Sequence, residues 1–250
     1  DDACQQLGPS RVAYGGGTDL LPRIKAGLAA PSQLVDLKHT GLPDRIVDHG
    51  HCTQLGALTT LAAIERDTGL ADRLSALPAA ARQAATPQIR NRATIAGNIC
   101  NASPAADSAP ALLIYNAQVN CISPRGERLL PLHQFITGPG RTALASDELV
   151  KEIVLPLPPA NQAAAFYRLT RRKGVDLATI NLCCQVSTTG LTRFALGAVG
   201  PVPFIVEEKE GLLARTDVSI EEKHDLIDAL MQKAAPITDV RASREYRQAM

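Results

Sequence analysis

The chain is defined first by what it does not contain. Its 250 residues carry 26 basic and 25 acidic side chains. There is no excess of one sign and no basic run of the kind that marks a nucleic-acid or membrane-surface binder. No apolar stretch approaches the length of a membrane span, and no secretion signal heads the sequence. Six cysteines are present, at 4, 52, 100, 121, 183 and 184, without a CxxC pair or a His/Cys metal pattern. They read as reduced structural thiols, which favours an intracellular, cytoplasmic setting. Cys183 and Cys184 sit in a strand-like run, so their thiols are expected on opposite faces. No nucleophile–base constellation stands out. His133 and His224 have no catalytic partner in sequence, and His49 and His51 fall at an exposed turn. Internal repeats and low-complexity segments are also absent.

What is present is an alternation of short strands and helices over a composition that is nearly half apolar. Residues 33–39 read as a strand. Residues 44–58 read as a hairpin turning at His49-Gly50, and a second hairpin turns at Pro124-Arg125-Gly126. Helices are expected after Thr59 or Thr60 and over 70–85, the latter kinked at Pro78. The stretch 147–159 reads as a strand that ends in prolines, which places a domain boundary near 156–162. Beyond it, three antiparallel strands precede an amphipathic helix capped by Ser219, with Ile220, Leu226, Ile227 and Leu230 on one face. The fold class is α+β.

Two segments carry candidate chemistry. The first is VAYGGGTDLLPRI at 12–24. It matches neither G-x-G-x-x-G nor a Walker loop, and alone it reads as a glycine-rich strand–turn–helix junction. Residues without Cβ also let consecutive N–H groups converge on an anion, however, with Thr18 adding a donor and Asp19 an acceptor. The second is TPQIRNRATIAGNICNASPAADSAPALL at 86–113. It is read as another glycine-containing turn, with a helix following from Ser103 as N-cap and Pro104 as first helical residue, and Asp107 near its first turn. Together the segments suit a diphosphate held between two lobes. On the residues alone, two unrelated tight turns fit equally well.

These two segments in combination, with "FITGPGRT", "FYRLTRRKGVDLATI" and "RASREYRQAM", resemble the FAD-binding medium subunits of molybdenum hydroxylases, bacterial xanthine dehydrogenases above all. The resemblance runs almost end to end. It implies an FAD-binding domain of the vanillyl-alcohol-oxidase (PCMH) type in two subdomains, at 1–157 and incomplete at its N-terminus. A smaller α+β domain like the C-terminal domain of CO dehydrogenase flavoproteins follows at 162–250. It also implies non-covalent FAD, and partners that carry molybdopterin (the large subunit) and [2Fe–2S] (the small subunit). Electrons would pass from the iron–sulfur subunit through the flavin to NAD+, a quinone or oxygen.

Carried over by position, Gly15, Gly16, Gly17, Thr18, Asp19 and Leu20 form the first cofactor motif, and Thr94, Ile95, Ala96, Gly97 and Asn98 the second. Asp107, Val150 and Arg168 match further cofactor-contacting positions. The chain departs from the family at Ala96, which stands where a glycine is usual and would be strained at positive φ. Arg168 replaces a lysine, and an exposed strand arginine is the competing reading. No cysteine-rich insertion follows Asn98, so no [4Fe–4S] cluster is expected on this chain. The alternatives are a flavin-free assembly partner and a stand-alone flavin oxidoreductase; the latter would need a substrate-cap domain that the sequence lacks. The substrate is not written in this chain, because hydroxylation belongs to another subunit.

Overall fold

A computed structural model describes residues 2–8 and 10–250. A short helix, α1 (Asp2–Gln5), precedes β1 (Arg11–Tyr14), α2 (Leu20–Lys25) and β2 (Gln33–Asp36). β1 and β2 pair in parallel with Tyr14 opposite Asp36. A small cluster of Ala3, Cys4, Val35 and Leu149 anchors this unit. The strand expected over 33–39 stops at Asp36, whose carboxylate accepts from the Lys38 N–H and turns the chain into a 3-10 segment, Leu37–His39.

The first expected hairpin is β3 (Ile46–Asp48) and β4 (Cys52–Gly56), joined through Gly50 at φ +79°. Five short helices follow: α3 (Leu61–Arg66), α4 (Thr68–Arg73), α5 (Ala76–Gln83), α6 (Pro87–Arg90) and α7 (Ile95–Asn101). Four start on a side-chain cap, because Thr60, Asp67, Thr86 and Thr94 each accept from an N–H three residues on. The break in the stretch 70–85 lies at Leu74-Ser75 and not at Pro78. Pro78 is the third residue of α5, in the first turn, where a missing N–H removes no helical bond.

The next helix, α8 (Ser108–Ile114), begins four residues later than the Ser103 cap implies. Ser103 Oγ accepts from Ala105 N in a turn, and Asp107 occupies the cap position without capping. Its carboxylate is engaged elsewhere, as described below. The chain then forms the expected hairpin of β5 (Gln118–Ser123) and β6 (Gly126–Pro131). After it come α9 (Leu132–Phe135), a small pair of β7 (Ile136–Gly138) and β8 (Arg141–Thr142), and the long strand β9 (Leu149–Pro156). β9 enters the middle of a five-stranded antiparallel sheet ordered β3-β4-β9-β5-β6.

From Gln162 the chain forms a four-stranded antiparallel meander: β10 (Gln162–Leu169), β11 (Ile180–Ser187), β12 (Thr192–Gly197) and β13 (Phe204–Glu208). The fourth strand, β13, goes beyond the three that the sequence predicts. Helix α10 (Ile220–Met231) carries a full capping box at Ser219–Glu222 and places Leu230 and Met231 against the sheet. Ile220 does not share the packed face, and at 69% exposure it faces water. A last helix, α11, spans Arg244–Ala249.

All six cysteines are free. Cys183 is buried and its neighbour Cys184 half-buried, as divergent strand positions require.

The two sheets are not separate bodies. Every residue of α8 is buried, and its Leu112 belongs to one continuous core with Phe135 from the first domain and Cys183 and Ala195 from the second sheet. Polar contacts bind the same seam. Asp107 Oδ2 accepts from Arg168 Nη1 of β10 at 2.7 Å, and Asp107 Oδ1 accepts from Asn181 Nδ2 of β11 at 2.9 Å. Both partners of the ion pair are 8% exposed, so Arg168 is not a surface arginine. Burial pushes the Asp107 carboxyl up from its ordinary range, while Asn181 and Arg168 pull it down. Removing one member of such a pair strands the other charge in a dry interior. Asp107→Ala is therefore expected to cost about 3–5 kcal/mol in equilibrium denaturation. A double change to apolar residues of similar volume should cost less than the single one.

Candidate cofactor site

The two glycine segments meet. The turn after β1 packs directly on the chain leading into α7, and glycine is what permits this. A Cβ on Gly16 would stand 1.9 Å from the Arg92 carbonyl oxygen, and one on Gly15 would stand 3.1 Å from Thr94 Oγ1. Gly17 adopts φ +73°, a region open to glycine at little cost.

The second segment is not a turn. Thr94 Oγ1 accepts from Gly97 N at 3.1 Å, and Asn98 N donates to the Thr94 carbonyl, so 95–101 is a helix. Ala96 lies within it, buried and outside the positive-φ residues, so its methyl group meets no backbone strain. The Ile95 N–H donates to the Thr59 carbonyl and ties the segment to the start of α3.

Between the two segments is a cavity of about 220 Å³. Gly15, Gly16, Gly17, Thr18, Asp19 and Leu20 line one side, and Thr94, Gly97 and Asn98 the other. Ile95 and Ala96 lie beneath the wall, packed in the core. Asp107, Val150 and Arg168 do not line it. Val150 is a core residue of β9 opposite Cys121, and Asp107 and Arg168 face each other in the seam behind.

The cavity is rich in donors without partners. Among the described residues, no protein acceptor takes the N–H of Gly16, Gly17 or Thr18, and the Thr18 hydroxyl is likewise unengaged. Consecutive free N–H groups around an αL glycine form a concavity suited to an anion. On the opposite wall, Asn98 Oδ1 accepts from Ser108 Oγ at 2.5 Å, which leaves Asn98 Nδ2 as the group able to donate into the cavity. Asp19 Oδ1 accepts from Asn101 Nδ2 at 3.2 Å. Burial pushes the Asp19 carboxyl up, partly offset by the nearby Arg23 guanidinium.

Arg23 and Asn101 belong to the wall but were not among the motif residues read from sequence. The signal for them was helical spacing: Asn101 is one turn after Asn98, and Arg23 one turn after Asp19. It becomes visible only once 95–101 is read as a helix.

Comparison with known proteins identifies the family of the chain. Residues 2–158 match the family model described as the FAD binding domain in molybdopterin dehydrogenase. Residues 165–250 match that of the CO dehydrogenase flavoprotein C-terminal domain. The xanthine dehydrogenase FAD-binding subunit of Escherichia coli O157:H7 is 31% identical over 245 residues, covering 96% of this chain and 84% of that protein. The nicotinate dehydrogenase FAD-subunit of Eubacterium barkeri is 30% identical over 93% of this chain and 81% of its own. Among solved structures, reconstituted CO dehydrogenase from Oligotropha carboxidovorans superposes with a TM-score of 0.90 at 30% identity, over all of this chain and 89% of that one.

Two substitutions probe the geometry. Gly16→Ala forces apart two backbones that have no slack, at an expected cost of about 1–3 kcal/mol, read as a lowered melting temperature. Ala96→Gly should destabilise by about 1 kcal/mol, because the site is helical. Taken together, the joined glycine segments, the matched models and the aligned relatives assign this chain to the FAD-binding medium subunits of the molybdenum hydroxylases.

Proposed function

We propose that the cavity between the two segments holds the diphosphate of FAD. The free N–H groups of Gly16, Gly17 and Thr18 carry this reading, supported by the Thr18 hydroxyl and the Asn98 amide. A diphosphate offers acceptor oxygens to all of them, and Gly15, Asp19, Leu20, Thr94 and Gly97 shape the walls. At about 220 Å³ the space is smaller than the ~300–1,000 Å³ of whole-ligand pockets. It suits the linked phosphates, with the rest of the dinucleotide extending along the surface. Ile95, Ala96 and Val150 act from beneath, as packing. Asp107 and Arg168 serve as the brace behind Ser108 and Asn98.

Bound flavin supplies the redox chemistry. The protein's part is to hold it, orient it and keep its phosphates desolvated among fixed donors, which needs no nucleophilic side chain. The chain is thus the flavin subunit of a xanthine-dehydrogenase-like, multi-subunit oxidoreductase. We assign it partners that carry molybdopterin and [2Fe–2S], a cytoplasmic location, and NAD+ as electron acceptor. Among the described residues no helix is long and apolar enough to cross a membrane. The flavin-free alternative rested on strain at Ala96, and that residue sits unstrained in a helix.

The purified chain should be yellow and release one equivalent of FAD on denaturation. Asn98→Ala should weaken FAD binding roughly tenfold, the scale of one hydrogen bond to a charged group, and also lower the melting temperature, because the buried Ser108 hydroxyl loses its acceptor. A colourless chain that takes up no added FAD would defeat the reading. In the native complex, reduction of NAD+ by purines tests the acceptor and the substrate class. A flavin spectrum without purine turnover would remove the xanthine assignment alone.

A further inference from the structure

Lys38 lies outside both glycine segments, yet it reaches one of them. Its Nζ is 2.5 Å from Asp36 Oδ1, donates to the Gly15 carbonyl oxygen at 3.3 Å, and stands 4.4 Å from the centre of the Tyr14 ring. Asp36 closes the group: its Oδ2 accepts from the Tyr14 hydroxyl at 3.0 Å, and its Oδ1 also accepts from the Lys38 N–H at 3.0 Å. Tyr14 and Asp36 face each other at the ends of the parallel strands, and Tyr14 and Gly15 both line the cavity.

The consequence comes through the planar peptide between Gly15 and Gly16. A trans peptide points its C=O and N–H in opposite directions. With the Gly15 oxygen held by the Lys38 ammonium, the Gly16 N–H is turned away from Lys38, and no protein acceptor takes it. This peptide has glycine on both sides, so the backbone itself does little to prevent it from flipping. A flip would put a carbonyl oxygen where the donor stands, and an acceptor repels an anion.

We propose that Lys38 is a positioning residue that locks the Gly15–Gly16 peptide with its N–H available to the phosphoryl group. Asp36 and Tyr14 hold the ammonium in place. The inference rests on the FAD reading above and adds to it the determinant of one donor's orientation.

The test titrates FAD into the flavin-free full chain as wild type, Lys38→Met and Lys38→Arg, at low salt and in 1 M KCl. Lys38→Met should bind roughly tenfold more weakly. That loss should persist at 1 M salt, where the screening length falls to about 3 Å. Lys38→Arg, which keeps a cationic donor, should recover most of the affinity. Equal affinity for Lys38→Met and wild type would overturn the proposal. So would a loss that vanishes at high salt, which would mark a through-space charge and not a held peptide. Should Lys38→Met also melt lower, Lys38→Arg decides: a stable Arg variant as weak as Met overturns the proposal. Wild type that takes up no FAD overturns the FAD reading itself, a separate result visible before any variant is compared.

Discussion

Everything at the candidate site depends on two stretches of backbone approaching more closely than side chains allow. Gly16 lies against the Arg92 carbonyl, with no room for even a methyl group between them. Gly15 rests closely on the side chain of Thr94, the residue that caps α7. The contact brings the turn after β1 and the start of α7 to opposite walls of one cavity. It also leaves the N–H groups of the half-buried first turn without protein partners among the described residues.

Behind this contact stands a brace that runs through the whole molecule. The fully buried helix α8 is packed between helices α5, α7 and α9 and the C-terminal meander. At its N-terminus Asp107 takes hydrogen bonds from Arg168 and Asn181 of the meander, and the next residue, Ser108, bonds Asn98 at the cavity wall. The C-terminal domain is thereby connected to the site without lining it. The buried pair is poor evidence for raw stability, since both charges are desolvated, but it fixes the register in which the two layers meet. Arg193 reinforces the same seam, donating from β12 to the Ile114 carbonyl at the end of α8.

Much of the local structure was legible. Hairpins turning at Gly50 and Gly126, a cap at Thr59 or Thr60 (Thr60 in the structure), the Ser219 cap and the divergent thiols at 183 and 184 follow from short-range chemistry, and each is found. The failures share a cause. Residues 93–98 read as a turn because Ala96, Gly97 and Asn98 allow close backbone approach, whereas the Thr94 cap and the buried Ile95 and Ile99 hold a helix over 95–101. The start of α8 was placed at Ser103 because Ser-Pro is a good opening. The chain begins the helix at 108, with Asp107 recruited by residues 61 and 74 positions further on.

The sequence alone determined that two glycine-rich segments with hydroxyl and amide side chains exist, and that the chain alternates strands and helices in an α+β order. Those properties are local: they follow from the absence of a Cβ, from cap chemistry and from alternating hydrophobicity. Only the tertiary structure decided that the segments share one cavity, that Asn101, Arg23 and Lys38 belong around it, and that Arg168 is buried against Asp107. Those are facts of long-range packing, where a side chain's partner lies tens of residues away and no spacing rule connects them.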